Sequence, residues 1–166
     1  MRVASRRDRR LWNLAGVVAV VGLMSYALFA QYVQGYEACP LCIFQRIALI
    51  VVGIVLLVAA LHAPRGARVY GVLGLVAAAV GIGIAGRHLY LQSLPPDAVP
   101  ACGPGLDYLF EAFPLTEMIR MVFTGSGECA EVNWSFLGLS MPGWVLIWFV
   151  ILGALAILAN WRRLPA

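Results

Sequence analysis

Between Cys42 and Leu61 the chain reads CIFQRIALIVVGIVLLVAAL, twenty residues in which Arg46, near the start, is the one charge. A helix rises about 1.5 Å per residue and the hydrocarbon of a bilayer is about 30 Å thick, so this stretch has the length and polarity of a membrane span. Working outward, three more stretches qualify, at about 11–30, 69–86 and 142–161, none of them charged. The third is rich in Gly and Ala, the small residues that let membrane helices approach closely. Apolar residues make up 62% of the 166-residue chain and charged ones 12%, against about 45–50% and 25% in soluble domains. That balance excludes a water-soluble globule, and it equally excludes a disordered chain. The first stretch follows Arg6, Arg7, Arg9 and Arg10 as a secretory signal does. Its apolar run, however, exceeds the usual 7–15 residues of a signal core and no small-x-small site follows it, so it reads as a retained span.

The expected fold is therefore an all-α membrane protein, a bundle of four spans in one membrane domain covering 1–166. Its basic residues are all Arg and cluster at one set of segments. The N-terminal segment, the turn between spans two and three and the C-terminus hold nine Arg and Asp8, a net +8. The other side holds seven acidic residues against Arg46, Arg87 and Arg120, a net −4. The positive-inside rule then places both termini and the short turn in the cytoplasm. The overall charge of +4 is a topology signal and not a nucleic-acid patch.

With that orientation all four cysteines face outward, Cys39 and Cys42 in a short loop at about 31–41 entering span two, Cys102 and Cys129 in a long loop at about 89–140. Pro95, Pro96, Pro100, Pro104 and Pro114, with Gly103, Gly105, Gly125 and Gly127, make the long loop mostly irregular. Within it Leu115, Met118, Ile119, Val122 and Phe123 keep helical spacing. A short amphipathic helix lying on the membrane surface fits, as does one packed on the loop itself.

Outside the cytoplasm the plain reading of four cysteines is two structural disulfides. Cys39-Pro40-Leu41-Cys42 departs from it, because a C-x-x-C closes too small a ring to clamp much chain and suits reversible exchange. A C-x-x-C is also half of a zinc site, but no second closely spaced Cys or His pair is present, and no metal is expected. Cys42 falls in the opening turn of span two, where unpaired amides and the helix dipole favour an anion. Arg46, four residues on and on the same face, is a permanent cation beside it. The thiolate is the reactive form of cysteine, so Cys42 with Arg46 reads as an activated couple; an interfacial Arg reaching for headgroups is the plainer account of Arg46 alone. Cys102 and Cys129, flanked by Gly and Pro, are expected in mobile, exposed surroundings open to an outside thiolate. Two pairs on one membrane face make a relay that needs a final acceptor, and no haem pair, flavin motif or nucleotide loop is visible. A lipid-soluble quinone meets that need.

These residues resemble the DsbB family of disulfide bond formation proteins. The likeness rests on four spans, on the C-x-x-C followed by Ile43-Phe44-Gln45-Arg46, and on Gly127-Glu128-Cys129-Ala130-Glu131 leading through Trp134-Ser135-Phe136 to Met141-Pro142. The resemblance implies an inner-membrane enzyme that reoxidises a periplasmic DsbA-like dithiol oxidase and passes the electrons to ubiquinone or menaquinone. It implies that the partner attacks Cys102, with Cys129 as its mate, and that Cys39 passes the disulfide to the loop pair. Cys42 would contact the quinone in a charge-transfer adduct, stabilised by Arg46. Gln31 and His88 sit where members of the family place quinone-site groups; Gln45 is a further candidate, where some relatives carry Glu. Trp134, Trp144 and Trp148 read as interface and packing residues. The competing account is a non-catalytic four-span scaffold or transporter with two structural disulfides. It calls for polar residues lining a path, and the spans offer little beyond Asn13, Ser25 and Arg46.

Overall fold

Four long helices carry the chain: α1 (Arg6–Tyr32), α2 (Pro40–His62), α3 (Arg68–Gln92) and α4 (Met141–Trp161). All four are long and apolar enough to cross a membrane. The computed structural model describes residues 6–62, 67–99 and 127–161, together with Pro114, Thr116, Glu117, Arg120 and Thr124. Cys102 lies outside the described residues, as do Leu115, Met118, Ile119, Val122 and Phe123 of the expected amphipathic helix; Thr116, Glu117, Arg120 and Thr124 are helical.

The helices form because apolar residues run without interruption, and they pack through small ones. α3 turns Gly71, Gly74, Ala78, Gly81, Ala85, His88 and Leu91 inward at intervals of three and four, one stripe of an α-helix. Its most extensive partner is α4. A Cβ on Gly81 would stand 2.3 Å from the Phe149 ring, and one on Gly74 would stand 2.7 Å from the Ala156 methyl, so the two backbones approach as closely as the absent side chains allow. The outward faces are greasy: Val18, Val69 and Val80 are each more than half exposed. Such surface is stable against lipid tails, not against water.

Α3 continues to Gln92, beyond the end of its apolar run at Gly86, because the burial of His88 and Leu91 extends its inward stripe by nearly two turns. It closes on Ser93, whose N–H donates to the Leu89 and Tyr90 carbonyls. The connection to α4 is also more ordered than its Pro and Gly content suggests. It contains a 3₁₀ turn (Pro96–Ala98), a helical turn (Gly127–Ala130) packed on α3, and a hairpin pairing β1 (Ser135–Phe136) with β2 (Leu139–Ser140). Leu137 at φ 52° and Gly138 at φ 79° form the two-residue turn, both left-handed as a type I′ hairpin requires. The Trp144 indole donates to the Phe136 carbonyl at 3.0 Å and ties the hairpin to α4.

At the end of the bundle away from the cysteines, Asn13 of α1 and Asn160 of α4 exchange amide hydrogen bonds of 3.1 and 2.9 Å, both side chains fully buried. Asn13 therefore joins helices and does not line a path. Truncating either residue to Ala leaves the other amide bonded only to the carbonyl one turn back, Arg9 for Asn13 and Ala156 for Asn160, with its buried oxygen unpaired, an expected loss of about 1–3 kcal/mol in reversible unfolding. The double substitution N13A/N160A should lose less than the sum of the singles, with a coupling of about 0.6–1.7 kcal/mol in a double-mutant cycle in detergent.

Candidate active site

Helix α2 begins at Pro40, whose missing N–H costs nothing in a first turn. The Cys39 carbonyl accepts the Ile43 N–H at 3.2 Å, so Cys39 caps the helix and Cys42 occupies its opening turn, as the sequence indicates. Both are free thiols, with their sulfurs 3.3 Å apart. Where α1 ends, α2 begins, α3 ends and α4 begins, the four helices meet at one end of the bundle, and the cysteines sit there.

Arg46, on the next turn of α2, reaches across to α1. Its guanidinium donates to the Gln31 side-chain oxygen and to the Ala27 carbonyl, the latter at 3.1 Å. This is not an Arg extended to headgroups. It is held by two acceptors, and its charge lies within electrostatic reach of Cys42.

Gln45 points the other way, into the bundle. It is 4% exposed, and its amide nitrogen stands 3.1 Å from His88 Nδ1. His88, 3% exposed, holds Nε2 3.8 Å from the Cys39 sulfur and Nδ1 4.0 Å from that of Cys42. Cys129 joins the same neighbourhood. Its helical turn packs on α3, and its sulfur is within electrostatic reach of Cys42 and His88. It is 1% exposed, which corrects the expectation of a mobile, exposed setting: the Gly127–Ala130 turn folds the sulfur inward against the apolar core.

A cavity of about 240 Å³ opens beside Cys42 between α1, α2 and α4. Its polar lining includes Gln31, Gln45 and Arg46, and its apolar wall includes the rings of Tyr26, Trp134, Trp144 and Trp148. Tyr26 meets Trp134 edge-on at 6.1 Å, and Trp134 stacks on Phe136 at 6.3 Å. An apolar pocket with a few convergent polar groups is what a small aromatic ligand needs. The sequence reading assigned the three Trp to packing and interface; they also wall the cavity. Tyr26 and Glu37, which line it too, were not singled out. Of the eight residues selected from sequence, seven gather at this end of the bundle, and Cys102 is outside the described residues.

The family model described as "Disulfide bond formation protein DsbB" matches residues 9–159. The chain belongs to the DsbB family. It is similar to proteins named Disulfide bond formation protein B from Nitrosococcus oceani (55% identical over 137 residues, 81% of each chain) and Hahella chejuensis (53% over 150 residues, 89% of this chain and 90% of that one). Another, from Azoarcus sp., is 47% identical over 161 residues, 96% of this chain and 95% of its own. As a DsbB-family member with four spanning helices, the protein is a multi-pass oxidoreductase of the bacterial inner membrane, acting in disulfide formation with quinone. Within that family assignment, the Cys39–Cys42 pair, the buried Gln45–His88 pair and the tethered Arg46 form one continuous cluster along the first two turns of α2.

Proposed function

We propose that the chain oxidises a periplasmic dithiol partner of the DsbA type and delivers the electrons to a membrane quinone, ubiquinone or menaquinone, bound in the cavity beside Cys42. The whole chain, 1–166, acts as one membrane unit, with both termini and the connection between α2 and α3 on the cytoplasmic side and the cysteine loops in the periplasm. The charge asymmetry of the segments supports that orientation. The observation that carries the reading is the cavity itself, in which a helix-start thiol, a tethered guanidinium and two amides converge on an aromatic-walled space.

The residues divide the work. Cys42 supplies the attacking thiolate, and Cys39, 3.3 Å away, closes the disulfide. The quinone, when bound, takes up two electrons and two protons and leaves as the quinol. Arg46 holds a positive charge beside the developing negative one, and Gln31 fixes the guanidinium there. Gln45 fixes the His88 ring, which stands close enough to Cys39 to take its proton as the disulfide closes. Cys102 receives the partner in a mixed disulfide, and Cys129, its mate, hands the electrons on to Cys39. No metal takes part in this cycle.

The test is anaerobic mixing of the reduced protein with each quinone in turn, then with the reduced partner. One quinol per Cys39–Cys42 disulfide formed is expected. Disulfide formation that proceeds undiminished after both quinones are removed defeats the reading.

A further inference from the structure

The reduced Cys39–Cys42 pair has a third neighbour that the redox cycle does not exhaust. The two sulfurs and one ring nitrogen of His88 all lie within 4.8 Å of one another. Cys39 and Cys42 are 3.3 Å apart, and Cys39 is 3.8 Å from His88 Nε2. In a tetrahedral zinc site, with Zn–S about 2.3 Å and Zn–N about 2.0–2.1 Å, ligand atoms stand about 3.5–3.8 Å from each other. Opening the sulfur pair by a few tenths of an ångström and turning the His88 ring, which holds Nδ1 4.0 Å from the Cys42 sulfur, so that Nε2 faces both thiols converts one arrangement into the other.

We infer that the dithiol form of this protein binds a thiophilic divalent cation of the zinc type through Cys39, Cys42 and His88, in a site that the disulfide form lacks. Three protein ligands and an open fourth position make a complete set for such an ion. His88 Nε2 is the ligating nitrogen, since it faces Cys39, and Nδ1 faces Gln45. A ligating His needs an acceptor on its other nitrogen, and the Gln45 amide supplies one when its carbonyl oxygen is turned to the ring. Burial of His88 and Cys39 keeps competing water low. On binding, two thiol protons leave and two metal–sulfur bonds form; no electrons move. On oxidation the sulfurs bond to each other and give up their thiolate charge, so the site exists in one redox state alone. The cation is an inhibitor and not a cofactor, because it occupies the thiolate that the proposed cycle requires and the histidine beside it.

The experiment uses the full chain without an affinity tag, reduced, in detergent under argon, with Co²⁺ as the spectroscopic probe and Zn²⁺ for X-ray absorption. One equivalent of Co²⁺ should give thiolate-to-cobalt absorption and tetrahedral d–d bands in the reduced protein and none after oxidation by ferricyanide. Zn²⁺ in the wild-type chain should show two sulfurs near about 2.3 Å and an imidazole nitrogen near about 2.0–2.1 Å. H88A should weaken Co²⁺ binding by more than about 100-fold, beyond what loss of an outer-shell partner costs, and C129S should leave it within about tenfold of wild type. Equal binding to the oxidised protein overturns the inference. So does a three-sulfur shell that is lost in C129S, or a shell without imidazole nitrogen. Quinone reduction by the metal-free protein is followed in parallel: its absence counts against the proposed cycle and leaves the metal site standing.

Discussion

Cys42→Ser should abolish quinone reduction, with a rate at least about 10³-fold below wild type, while the protein still folds and inserts. The expectation follows from what the position asks of its side chain. Nucleophilic catalysis fails when the attacking atom is lost, because the flanking groups cannot replace it. A serine hydroxyl is close in size to the thiol and keeps its hydrogen-bonding capacity at the helix start, but it does not ionise there and cannot close a bond to the Cys39 sulfur. Cys42 is half-buried and borders a cavity, so the exchange creates neither a void nor a clash of consequence. Stability, read as thermal unfolding in detergent, should therefore shift little. The two readouts separate the proposed function from a non-catalytic scaffold held by disulfides. A scaffold would lose stability with the bond, whereas the redox enzyme loses turnover and keeps its fold. Quinol formation in Cys42→Ser at a tenth of the wild-type rate or more would remove Cys42 from the chemistry.

The residues themselves explain how much of this was legible beforehand. The four spans were, because apolar runs of about twenty residues have few other uses. Cys42 and Arg46 were, because both lie on one helix four residues apart and the interaction is set by local geometry. Gln45 and His88 were legible as separate quinone-site candidates through the family resemblance, but not as partners of each other. Their partnership joins α2 to α3 across 43 positions of sequence, and nothing local encodes it. A signal existed, though. His88 falls on the stripe that begins at Gly71, and Gln45 falls on the buried stripe of α2 with Leu41, Ala48 and Val52. A polar residue on an inward stripe must find a partner, and two such stripes meeting at one end of a bundle find each other. The same limit applies to the proposed Cys39–Cys42–His88 site: a spacing rule that looks for a second close pair cannot see a histidine delivered by another helix. The cavity was illegible for a similar reason, since its wall combines Tyr26 of α1, Trp134 ahead of the hairpin and Trp144 of α4. The hairpin was missed because its strands are two residues long, too short for alternation to register.

Arg46→Gln should slow quinone reduction about 10²–10³-fold and leave thiol–disulfide exchange between the partner and the chain nearly unchanged. Glutamine keeps a hydrogen-bond donor and much of the length, so the substitution isolates charge. In the native site the guanidinium is fixed by Gln31 and by the Ala27 carbonyl at 3.1 Å, so it has little reorganisation left when negative charge develops beside it. Removing one preorganised donor of this kind costs about 2.7–4 kcal/mol in transition-state stabilisation, and the apolar wall of the cavity keeps the local dielectric low enough for that scale to apply. In the proposed cycle, exchange between the partner and Cys102 develops its charge on Cys129 and not on Cys42, the thiol one helical turn from Arg46, and so is not slowed by the same amount. Stopped-flow measurement of each half-reaction separates them, with quinone absorbance for one and partner fluorescence for the other. Gln31→Ala gives the graded control: the charge stays but loses its anchor, and a smaller slowing, about tenfold, is expected. Equal slowing of both half-reactions by Arg46→Gln would mean that the arginine shapes the fold of the α1–α2 pair and has no particular tie to the acceptor.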